Sequence, residues 1–232
     1  MRDVLISGST SFKIQVPYQL IETGEKGEKP LIVYLHGYNQ NIEYFRKKVD
    51  SLLNIQAYHL FIQAPYPVYN TSRNTELSKW GRAWYLYDGD QEQFIKSMEK
   101  ASVFIEQIID LLSGEIQANR LCVFGYSMGG YLGGYYSLSR YKQVNDLVMV
   151  GSRIKTEAFE GKLELARHIN ICALHGQKDE SVYPEPQKKC IELLKEKGFN
   201  ASFKLTKAGH QLEPVFIDET RKWLISSGYV EC

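Results

Sequence analysis

Residues 121–130 read LCVFGYSMGG, an apolar run that passes directly into the pattern G-x-S-x-G. The apolar residues predict a short buried strand, and the small residues after them predict a tight turn into a helix. Glycine on both sides of Ser127 lets the backbone fold sharply around that residue. Its hydroxyl is then exposed at the N-terminus of the helix, where the helix dipole favours negative charge. Ser127 is therefore a candidate nucleophile.

Short apolar strands and amphipathic helices alternate on both sides of this turn. At the start of the chain, residues 12–20 and 31–35 are predicted to form an antiparallel hairpin around a turn-rich segment. Further strands are predicted at 58–63, 120–125, 146–150, 169–175 and 201–206, and helices at 42–54, 91–113, 128–140, 184–197 and from 213 onward. The alternation predicts an α/β fold with a mostly parallel sheet that helices cover on both faces. No repeat or linker divides the sequence, so residues 1–232 are expected to form a single domain.

A nucleophilic serine needs a general base, and that base needs an acid to orient it. In a strand-turn-helix arrangement of this kind, the expected order along the chain is serine, acid, histidine. Asp179 follows the predicted strand 169–175, and His210 follows the predicted strand 201–206. Because the carboxyl ends of parallel strands meet at one edge of a sheet, both residues are expected beside Ser127.

Other titratable residues fit this arrangement less well. Asp146 precedes its predicted strand, which puts it at the opposite edge of the sheet. His175 closes a strand in a His-Gly pair, where we expect a structural role. Glu180 is adjacent to Asp179 and stays open as an alternative acid.

Acyl transfer also requires hydrogen-bond donors that stabilise the negative oxygen of the tetrahedral intermediate. One donor is expected to be the backbone N–H of Met128, the residue after the candidate nucleophile. The second is expected from the loop after the earlier central strand, which reads LHGYNQN over residues 35–41. Within that loop, the backbone N–H of Tyr38 is the candidate.

Residues 63–90 contain six tryptophan and tyrosine residues among several turn-forming ones, and the segment is long for a plain connection. Trp80, Trp84 and Tyr85 are candidates for the wall of a substrate cleft beside Ser127. The alternative, which the sequence leaves open, is that these side chains belong to the core.

The composition excludes several classes of function. With 28 basic and 27 acidic residues, the net charge of +1 and the absence of a basic run argue against a nucleic-acid-binding protein or an electrostatic membrane anchor. Residues 121–139 carry no charge but contain five Gly, three Ser and four Tyr, so no stable insertion into a membrane is expected. The four cysteines show no disulfide framework, and no metal-ligand spacing occurs. Together with a start that lacks a signal-peptide pattern, this predicts a cytoplasmic protein without a metal ion or another cofactor.

Four motifs, LHGYNQN (35–41), GYSMGG (125–130), HGQKDESV (175–182) and AGHQLEP (208–214), resemble in this order those of the phospholipase/carboxylesterase family of α/β-hydrolases. That family includes bacterial carboxylesterases and acyl-protein thioesterases, and the resemblance covers residues 12–226. It implies an α/β-hydrolase fold without a large lid domain. It also implies that Ser127, Asp179 and His210 are catalytic, with backbone donors at Tyr38 and Met128.

Two departures from the family pattern concern these donors. The family commonly has a glycine-rich sequence after Leu-His-Gly and a glutamine after the nucleophile. This chain instead has Tyr38, Asn39, Gln40 and Asn41 in the first place and Met128 in the second. Because both donors are main-chain N–H groups, these side-chain differences are not expected to remove catalysis. The acyl pocket, however, is expected to differ in shape from that of relatives.

These observations predict a serine hydrolase of carboxylic esters or thioesters, similar to carboxylesterases, lysophospholipases and acyl-thioesterases. The expected partner is a small-molecule ester or thioester, or an acylated lipid or protein, and a homodimer is a further expectation. Two alternatives remain open: a small serine peptidase or amidase of the same fold, and a non-catalytic hydrolase-like binding protein.

Overall fold

The computed structural model describes residues 6–10, 13–69 and 75–232. Its strands are β1 (Tyr18–Glu22), β2 (Lys29–Leu35), β3 (Tyr58–Ile62), β4 (Tyr66–Pro67), β5 (Arg82–Ala83), β6 (Ala118–Tyr126), β7 (Asp146–Val150), β8 (Asn170–Gly176) and β9 (Ala201–Thr206). Seven of them form one sheet in the order β1-β3-β2-β6-β7-β8-β9, and β4 pairs with β5 in a small separate ribbon. Within the large sheet the neighbours are parallel except for the antiparallel pair β1 and β3.

Helices cover both faces of this sheet, as predicted. They are α1 (Ile42–Lys48), α2 (Gln91–Leu112), α3 (Met128–Ser139), α4 (Pro184–Glu196) and α5 (Pro214–Ser226). Successive side chains of a strand point to opposite faces, so in β2 Leu31 and Val33 join one apolar core while Ile32 and Tyr34 join the other. The first core packs against α2, α3 and α4, and the second packs against α1 and α5.

The predicted hairpin between residues 12–20 and 31–35 is wrong. The strand β1 begins at Tyr18 and pairs with β3, where Leu20 lies opposite Leu60; residues 11 and 12 lie outside the described ranges. The edge of β2 that a hairpin would use is occupied by β3, which runs parallel to β2. A turn fixes the pairing of its two strands only when it is short, as in a tight hairpin. The connection from Glu22 to Lys29 is long enough to cross β3, so β1 can pair with the far side of that strand.

The predicted helix 42–54 is interrupted at Val49, whose φ of −108° departs from helical geometry. The chain continues as a 3₁₀ turn over Asp50–Asn54, which buries Leu52 in the second core. The remaining strands and helices agree with the predicted boundaries to within about two residues.

No large lid covers the carboxyl edge of the sheet in the described part of the chain. Residues 152–168, for which no strand or helix was predicted, contain two 3₁₀ turns, Thr156–Phe159 and Leu163–Ala166. None of the helices described here is both long and apolar enough to cross a membrane.

Candidate active site

Ser127 lies in the turn between β6 and α3 with a positive φ of 51°, which is unusual for a residue other than glycine. Its backbone N–H donates to the carbonyl oxygen of Val150 at 2.9 Å. A Cβ atom on Gly125 would lie 2.4 Å from the backbone oxygen of Gly129, and one on Gly129 would lie 2.2 Å from that of Leu35. Both positions therefore require glycine, and the tight turn they permit presents the Ser127 hydroxyl at the start of α3.

The structure brings Ser127, His210 and Asp179 into one line of hydrogen bonds. The Ser127 Oγ lies 2.9 Å from the His210 Nε2, and the His210 Nδ1 lies 2.8 Å from the Asp179 Oδ2. The other carboxylate oxygen of Asp179 accepts the backbone N–H groups of Ser181 at 3.0 Å and Val182 at 2.8 Å. Asp179 is buried, so these bonds fix its carboxylate in a single orientation.

Tyr126 contacts both the main chain and the ring of His210, a role that we did not predict. Its hydroxyl donates to the carbonyl oxygen of His210 at 2.9 Å, and its ring lies 5.6 Å from the His210 ring. The same ring lies against Gly37, where an added Cβ would come within 2.8 Å of it. The period-2 pattern of β6 could have indicated this position, since Tyr126 shares the inward face of Phe124 and Cys122.

The alternative acids lie elsewhere. Asp146 is buried at the opposite edge of the sheet, where its carboxylate accepts from Arg120 at 2.7 Å, Tyr229 at 2.8 Å and Asn170 at 3.0 Å. These hydrogen bonds indicate a structural role for Asp146. Glu180 is exposed and makes no hydrogen bond to His210 in the described structure.

His175 lies beneath Asp179 and is fully buried. Its Nε2 donates to the carbonyl oxygen of Val182 at 2.7 Å and lies 3.3 Å from the Asp179 Oδ2. Burial lowers the pKa of His175 from its ordinary value, which favours the neutral ring. Its contacts match the structural role expected for this residue.

The loop after β2 carries the candidate donor Tyr38. Asn39 adopts a positive φ of 59°, and its N–H donates to the carbonyl oxygen of Arg82 at 3.0 Å. The N–H of Gly37 donates to the Gln40 side chain at 2.9 Å. The N–H groups of Tyr38 and Met128, by contrast, have no acceptor among the residues that the structure describes. Both groups are therefore free to bind an oxygen of a substrate.

His36 holds the base of the same loop. Its Nδ1 donates to the carbonyl oxygen of Gly37 at 2.8 Å, and its Nε2 accepts the N–H of Ala64 at 3.1 Å. Burial lowers the pKa of His36 to about 4, so the ring is neutral near pH 7.

Over residues 6–10, 13–69 and 75–232, no group of three or more His, Cys, Asp and Glu side chains could hold a metal ion.

The structure corrects the predicted cleft role of two residues in the aromatic segment. Trp84 is fully buried, and its indole N–H donates to the carbonyl oxygen of His36 at 2.7 Å. It therefore offers no surface to a substrate and cannot form a cleft wall. Trp80 is half-buried, donates to the carbonyl oxygen of Thr75 at 3.1 Å and lines neither of the clefts beside Ser127. Of the three candidates, only Tyr85 lines a cleft.

Two clefts meet at Tyr38, whose side chain is 59% exposed and lines both. The first, the polar cleft, has a volume of about 630 Å³, and its lining includes Ser127, His210, Asn39, Asn41, Lys79 and Gln211. The second, the apolar cleft, has a volume of about 520 Å³, and its lining includes Tyr66, Val68, Tyr69, Tyr85, Tyr87 and Met128.

A mostly parallel sheet with a G-x-S-x-G turn at its carboxyl edge, facing a histidine and an aspartate, defines the α/β-hydrolase class. The chain belongs to the phospholipase/carboxylesterase family, whose family model matches residues 16–226. No curated protein matches it.

Solved structures of several esterases share this fold. Esterase PE8 superposes with a TM-score of 0.72 at 16% identity, covering 92% of this chain and 99% of its own. A carboxylesterase from Mesorhizobium loti has a TM-score of 0.71 at 16% identity, covering 90% and 94%. Acyl-protein thioesterase 2 from Zea mays has a TM-score of 0.67 at 20% identity, covering 90% and 98%. At these identities the likeness shows the fold alone.

Proposed function

We propose that this protein is a cofactor-independent serine hydrolase that cleaves carboxylic ester or thioester bonds through an acyl-enzyme. The observation that carries the proposal is the continuous line from the Ser127 Oγ through His210 to Asp179, with distances of 2.9 and 2.8 Å. Membership of the phospholipase/carboxylesterase family supports the same chemistry.

In the first half of the reaction, His210 takes the hydroxyl proton of Ser127 at its Nε2 while the Oγ attacks the acyl carbon. The carbonyl oxygen becomes negative as the tetrahedral intermediate forms. The free N–H groups of Tyr38 and Met128 bind that oxygen, and each such donor is worth roughly 3–4 kcal/mol of barrier. The protonated His210 then gives its proton to the leaving alcohol or thiol.

In the second half, His210 removes a proton from water, which attacks the acyl carbon and releases the acid. Throughout, Asp179 accepts the Nδ1–H of His210, which fixes the tautomer that leaves the Nε2 free to act as a base. The two backbone bonds from Ser181 and Val182 keep the Asp179 carboxylate in place for this purpose.

We place this activity in the cytoplasm, on small-molecule esters or thioesters or on acylated lipids or proteins. Three of the four cysteines, Cys122, Cys172 and Cys190, are buried free thiols, which suits a reducing compartment.

A substrate panel tests the proposal. Wild-type protein is assayed with esters, thioesters and amides that share one acyl group, beside Ser127→Ala at equal concentration. We expect turnover of the ester or thioester and its loss in the variant. Turnover of the amide alone would indicate the peptidase alternative, and no turnover of any member would contradict hydrolysis as the function.

A further inference from the structure

We propose that Tyr38 divides the substrate between the two clefts, with an apolar acyl group in the apolar cleft and a neutral polyhydroxylated leaving group in the polar cleft. It follows that the acyl-enzyme also transfers its acyl group to such polyols. This inference rests on the proposed hydrolase function and specifies its substrate class.

The position of His210 decides which cleft receives the leaving group. In the first half of the reaction the protonated His210 must reach the departing oxygen within hydrogen-bond distance. His210 lines the polar cleft together with Ser127, and it does not line the apolar cleft. The group attached to the departing oxygen therefore extends into the polar cleft.

The two free N–H groups decide where the acyl group lies. The acyl carbonyl oxygen has to lie between the backbone donors of Tyr38 and Met128. Tyr38 and Met128 are also the two donor residues that line the apolar cleft. The rest of the acyl group continues from that carbonyl away from His210, past Tyr85 and Tyr87.

The lining of the apolar cleft matches this half of the substrate. Its lining residues in the described structure include no charged side chain and are mainly tyrosine with Val68, Leu86 and Met128. Burying apolar acyl surface there is favourable by roughly 25 cal/mol per Å². A charged acid would lose its hydration without gaining an ion pair.

The lining of the polar cleft has a different chemistry. It carries several side-chain amides, the exposed ring of Tyr44 and one cation, Lys79, but no carboxylate among the described residues. An amide offers both donors and acceptors, as a hydroxyl does. Gln40 uses its oxygen for the N–H of Gly37, and its amide donors have no partner among the described residues, while Gln211 is exposed toward the cleft. The Asn41 amide is already paired with the backbone of Tyr44 and Lys79. A neutral polyol satisfies Gln40 and Gln211 better than an alkyl alcohol does, because an alkyl group leaves these two amides unpaired.

The transfer reaction uses the same groups as hydrolysis. A polyol hydroxyl oxygen bound in the polar cleft attacks the acyl carbon on Ser127 while His210 takes the hydroxyl proton. The bond between the acyl carbon and the Ser127 Oγ then breaks, and His210 returns the proton to that oxygen. The products are a new ester of the polyol and free enzyme, so no oxidant or further reactant is required.

Partition of one acyl-enzyme between two acceptors tests this assignment. Wild-type protein is given p-nitrophenyl hexanoate with glycerol or 1-propanol at equal concentration, and the ester and acid products are quantified. We expect glycerol to capture the acyl group about five- to tenfold better than 1-propanol, the effect of one or two hydrogen bonds. Equal capture, or better capture by 1-propanol, would overturn the proposal.

Two double variants locate the acceptor site. Gln211→Leu with Lys79→Met removes polar groups of the polar cleft, and we expect the preference for glycerol to fall to about twofold or less. The matched control, Gln143→Leu with Lys142→Met, changes exposed residues in the connection from α3 to β7 and should keep the wild-type preference. A glycerol preference that survives the cleft variant unchanged would overturn the assignment. Absence of p-nitrophenol release by wild-type protein is a separate result, because it contradicts the hydrolase function itself.

The acyl half is tested in the same assay with Tyr87→Ala, whose side chain is 57% exposed and lines the apolar cleft. We expect kcat/KM to fall about fivefold or more for the hexanoyl ester and by less than about twofold for the acetyl ester, which is the internal control. The ratio of glycerol to 1-propanol capture should stay at the wild-type value. A changed capture ratio with equal losses on both esters would contradict the division at Tyr38.

Discussion

Trp84 holds the main chain of His36 through a single hydrogen bond, from the indole N–H to the carbonyl oxygen at 2.7 Å. Two backbone bonds join the same segments, from Asn39 to Arg82 at 3.0 Å and from Arg82 to Gln40 at 2.9 Å. The ribbon that contains Arg82 and the loop that presents the Tyr38 N–H are therefore one connected unit. If the proposed function holds, Trp84 positions the proposed oxyanion donor without touching the reacting atoms.

Replacing Trp84 by phenylalanine tests this connection. The change keeps most of the buried ring but removes the bond to His36, which leaves a buried carbonyl oxygen without its donor. We expect kcat to fall about tenfold, with KM changed by less than about twofold, because the Tyr38 donor acts mainly in the transition state. Steady-state kinetics on one ester measures both quantities.

Trp80→Phe is the matched control for that variant, since Trp80 lines neither cleft and its indole donates to Thr75. It should retain kcat and KM within about twofold of wild type. Equal effects of the two substitutions, or a Trp84→Phe effect confined to KM, would be incompatible with a positioning role.

Replacement of the three aligned residues should separate their roles. We expect Ser127→Ala or His210→Ala to lower kcat by roughly 10⁴–10⁶ with folding intact. Asp179→Asn should cost on the order of 10⁴, because it favours the wrong tautomer of His210. Glu180→Gln is the control and should be close to wild type. If Glu180→Gln is crippled while Asp179→Asn is active, the assignment of the acid is wrong.

The buried histidines predict how stability depends on pH. Burial lowers the pKa of both His36 and His59 to about 4, whereas an unfolded histidine titrates near 6.5. As pH falls through this window the unfolded state takes up protons first, so the free energy of unfolding decreases. We expect a loss of about 2 kcal/mol per residue between pH 7.5 and pH 5.0, measured by urea unfolding.

His168 provides the control for this pH effect, because its side chain is exposed. The variant His168→Asn should show the same decrease in the free energy of unfolding as wild type. An unfolding free energy at pH 5.0 as large as that at pH 7.5 would contradict the contribution of His36 and His59.

The glycine at the first turn of α3 is expected to be irreplaceable. A Cβ on Gly129 would lie 2.2 Å from the carbonyl oxygen of Leu35, a backbone atom that can move only with β2. We expect Gly129→Ala to destabilise the fold by about 3 kcal/mol or more. Gly114→Ala is the comparison, since no atom lies within 4 Å of its added methyl group. Similar melting temperatures for the two variants would show that the turn is less tight than described.

The sequence predicted that Ser127, His210 and Asp179 lie close together, from their order along the chain and from their positions after strands. Ser127 directly follows β6, whereas Asp179 and His210 lie three and four residues after the ends of β8 and β9. Parallel strands bring such positions to one edge of the sheet. The mostly parallel sheet was predictable for a related reason, because helical and strand periods alternate clearly from residue 91 onward outside residues 152–168.

Features that depend on distant parts of the chain were not predictable. The strand with which β1 pairs depends on which edge of β2 is occupied by β3, and no feature of residues 18–22 themselves indicates that arrangement. Trp84 belongs to an aromatic-rich segment in which a core residue and a cleft residue look alike. Only the fold shows that its indole turns inward to His36 while Tyr85, the next residue, reaches the apolar cleft.

Covalent labelling of Ser127 tests the central claim most directly. Wild-type protein and Ser127→Ala are treated with a fluorophosphonate, digested and mapped by mass spectrometry. The proposed nucleophile predicts one phosphonyl adduct, on the peptide that contains Ser127, and no adduct in the variant. An unlabelled wild-type protein, or an adduct on another residue that persists in Ser127→Ala, would contradict the claim.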